Sequence, residues 1–160
     1  YYFAKAIDHD GGDYGVAVLS KFPIEEPNKL TFSRIDGRKA EDRVLATITV
    51  KLKSGHKIKF SSTHLDHVKN EDLRLIQVAE IIKQAEKETL PFIVAGDFNA
   101  KPNSKTIKLL DEAFTRTCSS VLSCCKAIAT FSCCCSKVCN GSSFGTSTVI
   151  DTDLPAALMS

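Results

Sequence analysis

The chain has 160 residues, 43% hydrophobic and 25% charged, with a formal net charge of +2. One domain with its own core is the expectation at that length; no run approaches the 18 apolar residues of a membrane span, and so small a net charge does not by itself argue for a nucleic acid or a membrane surface. The averages hide an asymmetry: all seven Cys lie between Cys118 and Cys139, and residues 118–160 carry two Lys/Arg and two Asp/Glu against 19 and 17 before them.

Tyr1–Ile7 is rich in aromatic and apolar residues and reads as a strand. No basic-then-apolar leader follows Tyr1, so the compartment stays open. Asp10-Gly11-Gly12-Asp13 is a turn signal. Gly15–Phe22 is a short apolar run closed by Pro23, the pattern of a strand covered on both faces. Residues 25–42 are polar and mixed and read as a loop with a short strand at Leu30–Ser33. From Val44 to Lys53 the pattern alternates: Val44, Ala46, Ile48, Val50 and Leu52 share one face, and Thr47, Thr49, Lys51 and Lys53 the other. That period of two predicts a half-buried strand. Ser54-Gly55 separates it from Lys57–Leu65, which predicts a hairpin.

The period changes over residues 71–88. Leu75, Val78, Ala79 and Ile82 form one helical stripe, Asn70 is the expected N-cap, and Glu71 and Asp72 suit the positive end of the helix. Beyond Pro91, Phe92–Ala95 reads as a buried strand that Gly96-Asp97-Phe98-Asn99 ends, and Ser104–Phe114 as a shorter helix. Past Thr117 no helical or strand period appears through residue 147, and Ser and Cys crowd the segment. The order of elements through residue 117 is that of an α/β or α+β domain.

Asp97 and Asn99 are two residues apart just past a buried strand, so their side chains share a direction. A carboxylate and an amide oxygen there suit a hard cation such as Mg²⁺; the same two residue types equally suit a turn. His64 ends the second hairpin strand on the face of Ile58, Phe60 and Ser62, where it could contact a phosphate or move a proton, or sit as a satisfied half-buried His. His67 is expected in a solvent-facing loop. His64-Leu65-Asp66 also opens a two-His-one-carboxylate iron motif, but no His follows His67 to complete it. Arg43, before the alternating strand, suits either a bidentate phosphate contact or surface charge. Tyr14 reads as packing in a core or turn ahead of lining a pocket. The Cys spacings do not form the two Cys-x₂₋₄-Cys pairs of a structural zinc site. Asn140-Gly141-Ser142 is a glycosylation triplet that matters only in a secreted chain.

Four segments then fall in one order: Gly15–Ile24 (GVAVLSKFPI), Arg43 with its strand, Thr63-His64-Leu65-Asp66, and Gly96-Asp97-Phe98-Asn99-Ala100 with Pro102. A helix carrying Arg74 and Gln77 sits between the last two. This set resembles the endonuclease/exonuclease/phosphatase superfamily over residues 1–117. The resemblance implies an α/β (α+β) fold forming part of a four-layer α/β/β/α sandwich of two sheets with helices outside. It implies a metal-dependent hydrolase that cleaves a phosphoester with activated water, using Mg²⁺ or alternatively Mn²⁺. By the same resemblance Asp97 and Asn99 orient the attacking water and hold metal or phosphate, His64 stabilises the charge of the pentavalent phosphorane, and Arg43 faces the phosphate. Nucleic acid, phospholipid and inositol phosphate all remain open as the phosphoester.

The resemblance also has gaps. The family's metal-binding Glu in a Leu-Gln-Glu setting, its Ile-Asp-Tyr-Ile strand and its closing Ser-Asp-His have no match here. Val149-Ile150-Asp151 and Asp153-Leu154-Pro155 echo the final stretch only faintly. The chain therefore divides into a partial domain at 1–117 and a Ser/Cys-rich tail at 118–160. One explanation of the break is a shifted reading frame, which the coding DNA read in three frames tests. The isolated chain is expected to be inactive. The competing expectation is a binding module derived from the same fold, without catalysis and with a zinc-binding or interaction tail.

Overall fold

The computed structural model describes residues 1–116 and the strand Ser147–Ile150. Two strands, β1 (Tyr2–His9) and β2 (Gly12–Ser20), form an antiparallel hairpin in which His9 pairs with Gly12. The intervening Asp10 and Gly11 both have positive φ, 48° and 78°, the geometry that lets a two-residue turn follow the twist of its strands. A further strand, β7 (Ser147–Ile150), lies parallel to β2 with Ala17 opposite Ser147, giving a three-stranded sheet in the order β1-β2-β7. At four residues, β7 is too short to show a period, and the sequence pattern had not marked it.

The second sheet has the order β3-β4-β5-β6, with β3 at Ile24–Thr31, β4 at Val44–Lys51, β5 at Lys57–His64 and β6 at Phe92–Asp97. The pairs β3/β4 and β4/β5 are antiparallel and β5/β6 is parallel. A parallel pair needs a crossover, and helix α1 (Asp72–Ala85) supplies it. Helix α2 (Lys105–Ala113) follows β6, with the Ser104 side chain capping it through a bond from the Ile107 N–H at 3.3 Å.

Two apolar clusters fix the layers. Ala4, Val16 and Val18 of the first sheet pack with Val44, Ala46, Ile48, Val50, Ile58, Phe60 and Ala95 of the second. On the opposite face of the second sheet, Leu45, Phe92 and Val94 pack with Val78 and Ile81 of α1 and Ile107 and Leu110 of α2. The described residues thus form a mixed α/β sandwich of two sheets with helices covering one outer face. On the other outer face Phe3 and Leu19 are 39% and 40% exposed.

The structure changes five local readings. Residues 24–31 are a full strand rather than mostly loop; Pro27, a run of charged residues and a bulge between Glu25 and Asn28 mask it, features that belong to an edge strand. The strand β4 is buried on both faces, not half-buried: Thr47 and Thr49 lie on the helix side with Leu45, and both are satisfied, Thr47 by Ser61 Oγ at 2.8 Å and Thr49 by donating to Glu26 Oε2 at 2.8 Å. Strand β6 runs through Gly96 and Asp97 instead of ending at Ala95. In α1 the N-cap position is Glu71, although Asn70 Oδ1 does accept the Asp72 N–H at 2.9 Å. The buried face of α1 is Leu73, Arg74, Gln77, Val78, Ile81 and Ala85, not the expected stripe through Ala79. Two long polar side chains on the buried face shifted the apolar phase.

Candidate active site

The topology gathers one end of the second sheet. Because β5 and β6 are parallel, His64 and Asp97 close their carboxyl ends side by side in register. Because β4 runs antiparallel to β5, with Leu45 opposite Thr63, its start brings Arg43 to the same end. Sites recur at the carboxyl ends of parallel strands because the sheet fixes the bases of side chains that the loops leave open. Gly96 is what allows β6 to come so close. Its φ is +142°, and a Cβ there would lie 1.9 Å from the Thr63 carbonyl oxygen.

A cleft of about 260 Å³ opens at this end, lined by Ile7, His9, Tyr14, Glu41, Arg43, His64, His67 and Asn99. Of the four residues expected from the sequence, Arg43, His64 and Asn99 line it. Asp97 is not among the lining residues; its Oδ1 accepts the Asn99 N–H at 2.9 Å. That short-range bond is the turn geometry expected of Asp and Asn, and Asn99 holds a positive φ of 46° to make it. The Asn99 Nδ2 donates to Leu65 O at 2.8 Å, which leaves Oδ1 as the acceptor its side chain has to offer. The turn reading is therefore realised, and Asn99 also lines the cleft.

Arg43 is only 4% exposed. Its Nη2 donates to Glu41 Oε2 at 3.0 Å and to His67 Nδ1 at 3.2 Å, and its Nε has no partner among the described residues. Glu41 already pairs with the buried charge, and the unspent Nε leaves one donor whose desolvation nothing offsets. His64 is half-buried, and its Nδ1 lies 3.1 Å from the Tyr14 hydroxyl. Its pKa sits below the ordinary imidazole range, first because burial disfavours the charged ring and second because Arg43 repels it; Asp97 opposes the shift. The ring is neutral near pH 7 as a result.

The loop that follows His64 is held from behind. Arg74 Nη1 donates to the carbonyls of Asp66 at 3.0 Å and Val68 at 2.6 Å, and Gln77 Oε1 accepts the Asp66 N–H at 3.0 Å. Asp66 itself is buried and uses Oδ1 to accept the Val68 N–H at 2.8 Å. It is spent on the loop and does not line the cleft, so the iron reading loses its carboxylate.

Sequence reasoning missed Tyr14, Glu41, His67 and His9 as members of the site. Tyr14 reads from the sequence as packing ahead of pocket lining, and the hairpin of the first sheet carries it across to His64 and into the cleft wall. His67 is exposed as expected, yet its ring is bonded to Arg43. Only contacts distant in the chain reveal them, and no local signal could have. The Cys cluster and the glycosylation triplet lie outside the described residues. Among the described residues no group of three or more His, Cys, Asp or Glu is placed to hold a metal ion, and no helix is long and apolar enough to cross a membrane.

A family model described as the Endonuclease/Exonuclease/phosphatase family matches residues 1–155, and the chain belongs to that family. Among solved structures, it is similar to an endonuclease/exonuclease/phosphatase family protein from Bacteroides thetaiotaomicron, with 21% identity and a TM-score of 0.52 over 57% of this chain and 37% of that one. It is similar also to a mannosyl-6-phosphatase from the same species, with 22% identity and a TM-score of 0.51 over 57% of this chain and 38% of that one. These likenesses establish the fold. The chain spans little more than a third of the length of either structure. None of the curated proteins compared matches it.

Proposed function

We propose that the cleft takes the phosphate of a phosphoester and that the complete enzyme hydrolyses that ester with activated water. The observation that carries this is Arg43: a nine-tenths-buried guanidinium with an unpartnered Nε at a cleft shared with His64 and Asn99. Guanidinium donors fit phosphate oxygens in a fixed fork, which a Lys could not reproduce. His64 contributes a second contact and offsets the negative charge that grows on the phosphate oxygens as water attacks. Asp97 and Asn99 orient the attacking water from the end of β6.

A divalent metal fits part of this arrangement. Asp97 offers a carboxylate and Asn99 an amide oxygen, the hard donors that Mg²⁺, or alternatively Mn²⁺, prefers, and Mg²⁺ commonly completes its shell with water and substrate oxygens. Such an ion, when bound, would polarise the phosphoryl group and lower the pKa of a bound water. Two oxygen donors make a weak site alone. No His follows His67 to act as a second proton-transfer group. We accordingly place the break in domain organisation at residue 117 and assign the 160-residue chain little or no turnover by itself.

The test is hydrolysis of bis(p-nitrophenyl) phosphate by the purified chain with Mg²⁺, with chelator, and in an Asp97→Ala variant, run beside inorganic phosphate binding. The expected result is phosphate binding with negligible turnover. Robust Mg²⁺-dependent turnover lost in Asp97→Ala would contradict the assigned inactivity, and absence of phosphate binding would contradict the site. A second reading is a phosphate-binding module without catalysis, in which Arg43, His64 and Asn99 hold the anion at the cleft. A longer chain that restores the missing family motifs and hydrolyses the diester would exclude it.

A further inference from the structure

We infer that Tyr14 is a positioning residue that holds His64 in one tautomer, with the ring proton on Nε2. The two side chains come from different sheets: Tyr14 from β2, next to the hairpin turn, and His64 from the end of β5. Their polar atoms are 3.1 Å apart and their ring centroids 6.3 Å apart, with the planes tilted by 53°. The His9 ring lies 5.8 Å from the Tyr14 ring on the same hairpin, so the phenol is flanked by an imidazole on each side.

A neutral imidazole and a phenol can share a hydrogen bond in two ways, since each holds one proton and one acceptor site. A phenolic O–H is the stronger donor of the two, and the bare imidazole nitrogen is the stronger acceptor. The favoured bond therefore runs from Tyr14 Oη–H to His64 Nδ1. The only proton left on the ring then sits on Nε2, which makes Nε2 an N–H donor. Which nitrogen of a His carries the proton is set by the bond the other nitrogen makes, and here that bond is spent outside the cleft's ligand. The consequence is chemical: a donor suits an anionic phosphate oxygen, whereas a bare nitrogen would repel it. Tyr14 thus selects the form of His64 that can contact an anion, without touching the anion itself.

The consequence for phosphate rests on the proposed function, but the tautomer does not. The ¹⁵N-labelled full chain is measured by long-range ¹H–¹⁵N correlation at about pH 8, above the ordinary titration range of imidazole, with the His64 signals assigned by their loss in His64→Gln. In the native chain Nδ1 is expected to give the signal of an unprotonated ring nitrogen and Nε2 that of a protonated one. In Tyr14→Phe the preference is expected to fall by about fivefold, equivalent to the ~1 kcal/mol of one hydrogen bond, with Nδ1 moving toward the protonated position. A native chain with the proton on Nδ1, or an unchanged tautomer ratio in a folded Tyr14→Phe, overturns the inference. Should Tyr14→Phe fail to fold, the same ratio is read in Tyr14→Leu, and a native spectrum with the proton on Nδ1 overturns the inference by itself. A third arm adds inorganic phosphate to the native chain. If the tautomer is as expected and phosphate moves no His64 signal, the positioning stands and the phosphate reading falls.

Discussion

Replacing Gly96 by Ala would separate the two strand ends that build the cleft. A Cβ at position 96 would meet Thr63 O at 1.9 Å, Thr63 C at 2.8 Å and Thr63 N at 3.0 Å. Contacts below 3.0 Å are essentially never observed for a Cβ, so the shortest one has to open by about 1.1 Å. All three neighbours are β5 backbone atoms, which cannot rotate away as a side chain would. The strands must part where Thr63 pairs with Gly96 and His64 with Asp97. Overpacking of this kind costs about 1–3 kcal/mol, a side chain in so strained a backbone region about 1–3 kcal/mol, and a weakened ladder bond about 1 kcal/mol. The total, roughly 3–7 kcal/mol, is a large share of the 5–15 kcal/mol that holds a typical domain together. With a urea dependence of about 1.5 kcal/mol/M, the unfolding midpoint should fall by roughly 2 M or more. Gly55→Ala is the control: its φ is also positive, +89°, but nothing lies within 4 Å of the added methyl. It carries the backbone strain without the collision. Equal midpoints for the two variants, or a Gly96→Ala chain within about 0.5 kcal/mol of the native one by urea unfolding, would refute the argument.

Arg43→Met should weaken inorganic phosphate binding roughly tenfold to a hundredfold, the worth of a lost charge-assisted bond. It should also raise the pKa of His64, because burial and Arg43 together hold it down against the pull of Asp97 and Glu41. Since folding lowers that pKa, the folded chain binds the proton less readily than the unfolded one. The associated stability is complete above the ordinary imidazole range and is lost as pH falls through it; an NMR titration of His64 in both chains checks the direction. Glu71 accepts bonds from the Thr106 hydroxyl at 2.7 Å and amide at 2.9 Å, which join the start of α1 to α2 and hold the carboxyl below its usual range. Its contribution is full above the ordinary carboxylate range and lost as pH falls through the folded pKa, so Glu71→Gln should flatten the acid limb of a stability-against-pH curve. Arg74→Met strands the buried carbonyl of Asp66 and the partly buried one of Val68 and should cost about 2–4 kcal/mol in urea unfolding, with amide shifts centred on residues 65–68.

The parts legible in the sequence are those where local pattern and final environment agree. The alternation from Val44 to Val50 gives β4 and its inward face correctly, because those residues pack against the first sheet. It could not reveal that Thr47 and Thr49 are buried too, since a polar residue reads as exposed until its partner is known, and Ser61 and Glu26 are distant in the chain. The same blindness shifted α1: Arg74 and Gln77 are buried for the loop they hold, not for the core, and no hydrophobic period registers that. Pro27 and the Glu pair hid β3, whose edge position tolerates them. For the cleft, motif and strand-end position singled out Arg43, His64, Asp97 and Asn99, and the parallel β5/β6 register explains why His64 and Asp97 meet. Tyr14, Glu41 and His67 join them only through the tertiary fold. The break in composition at residue 117 remains our proposal for where the chain changes character; the family match runs on to residue 155, and β7 pairs with β2.

The claim that the β4–β5–β6 end is a phosphate site is tested most directly by titrating the ¹⁵N-labelled chain with inorganic phosphate, with and without Mg²⁺, at constant ionic strength. Saturable shifts confined to Tyr14, Arg43, His64, His67 and Asn99, abolished in Arg43→Met and strengthened by Mg²⁺ only when Asp97 is present, are the predicted result. Phosphate that leaves these signals unmoved, or moves them equally in Arg43→Met, would contradict it.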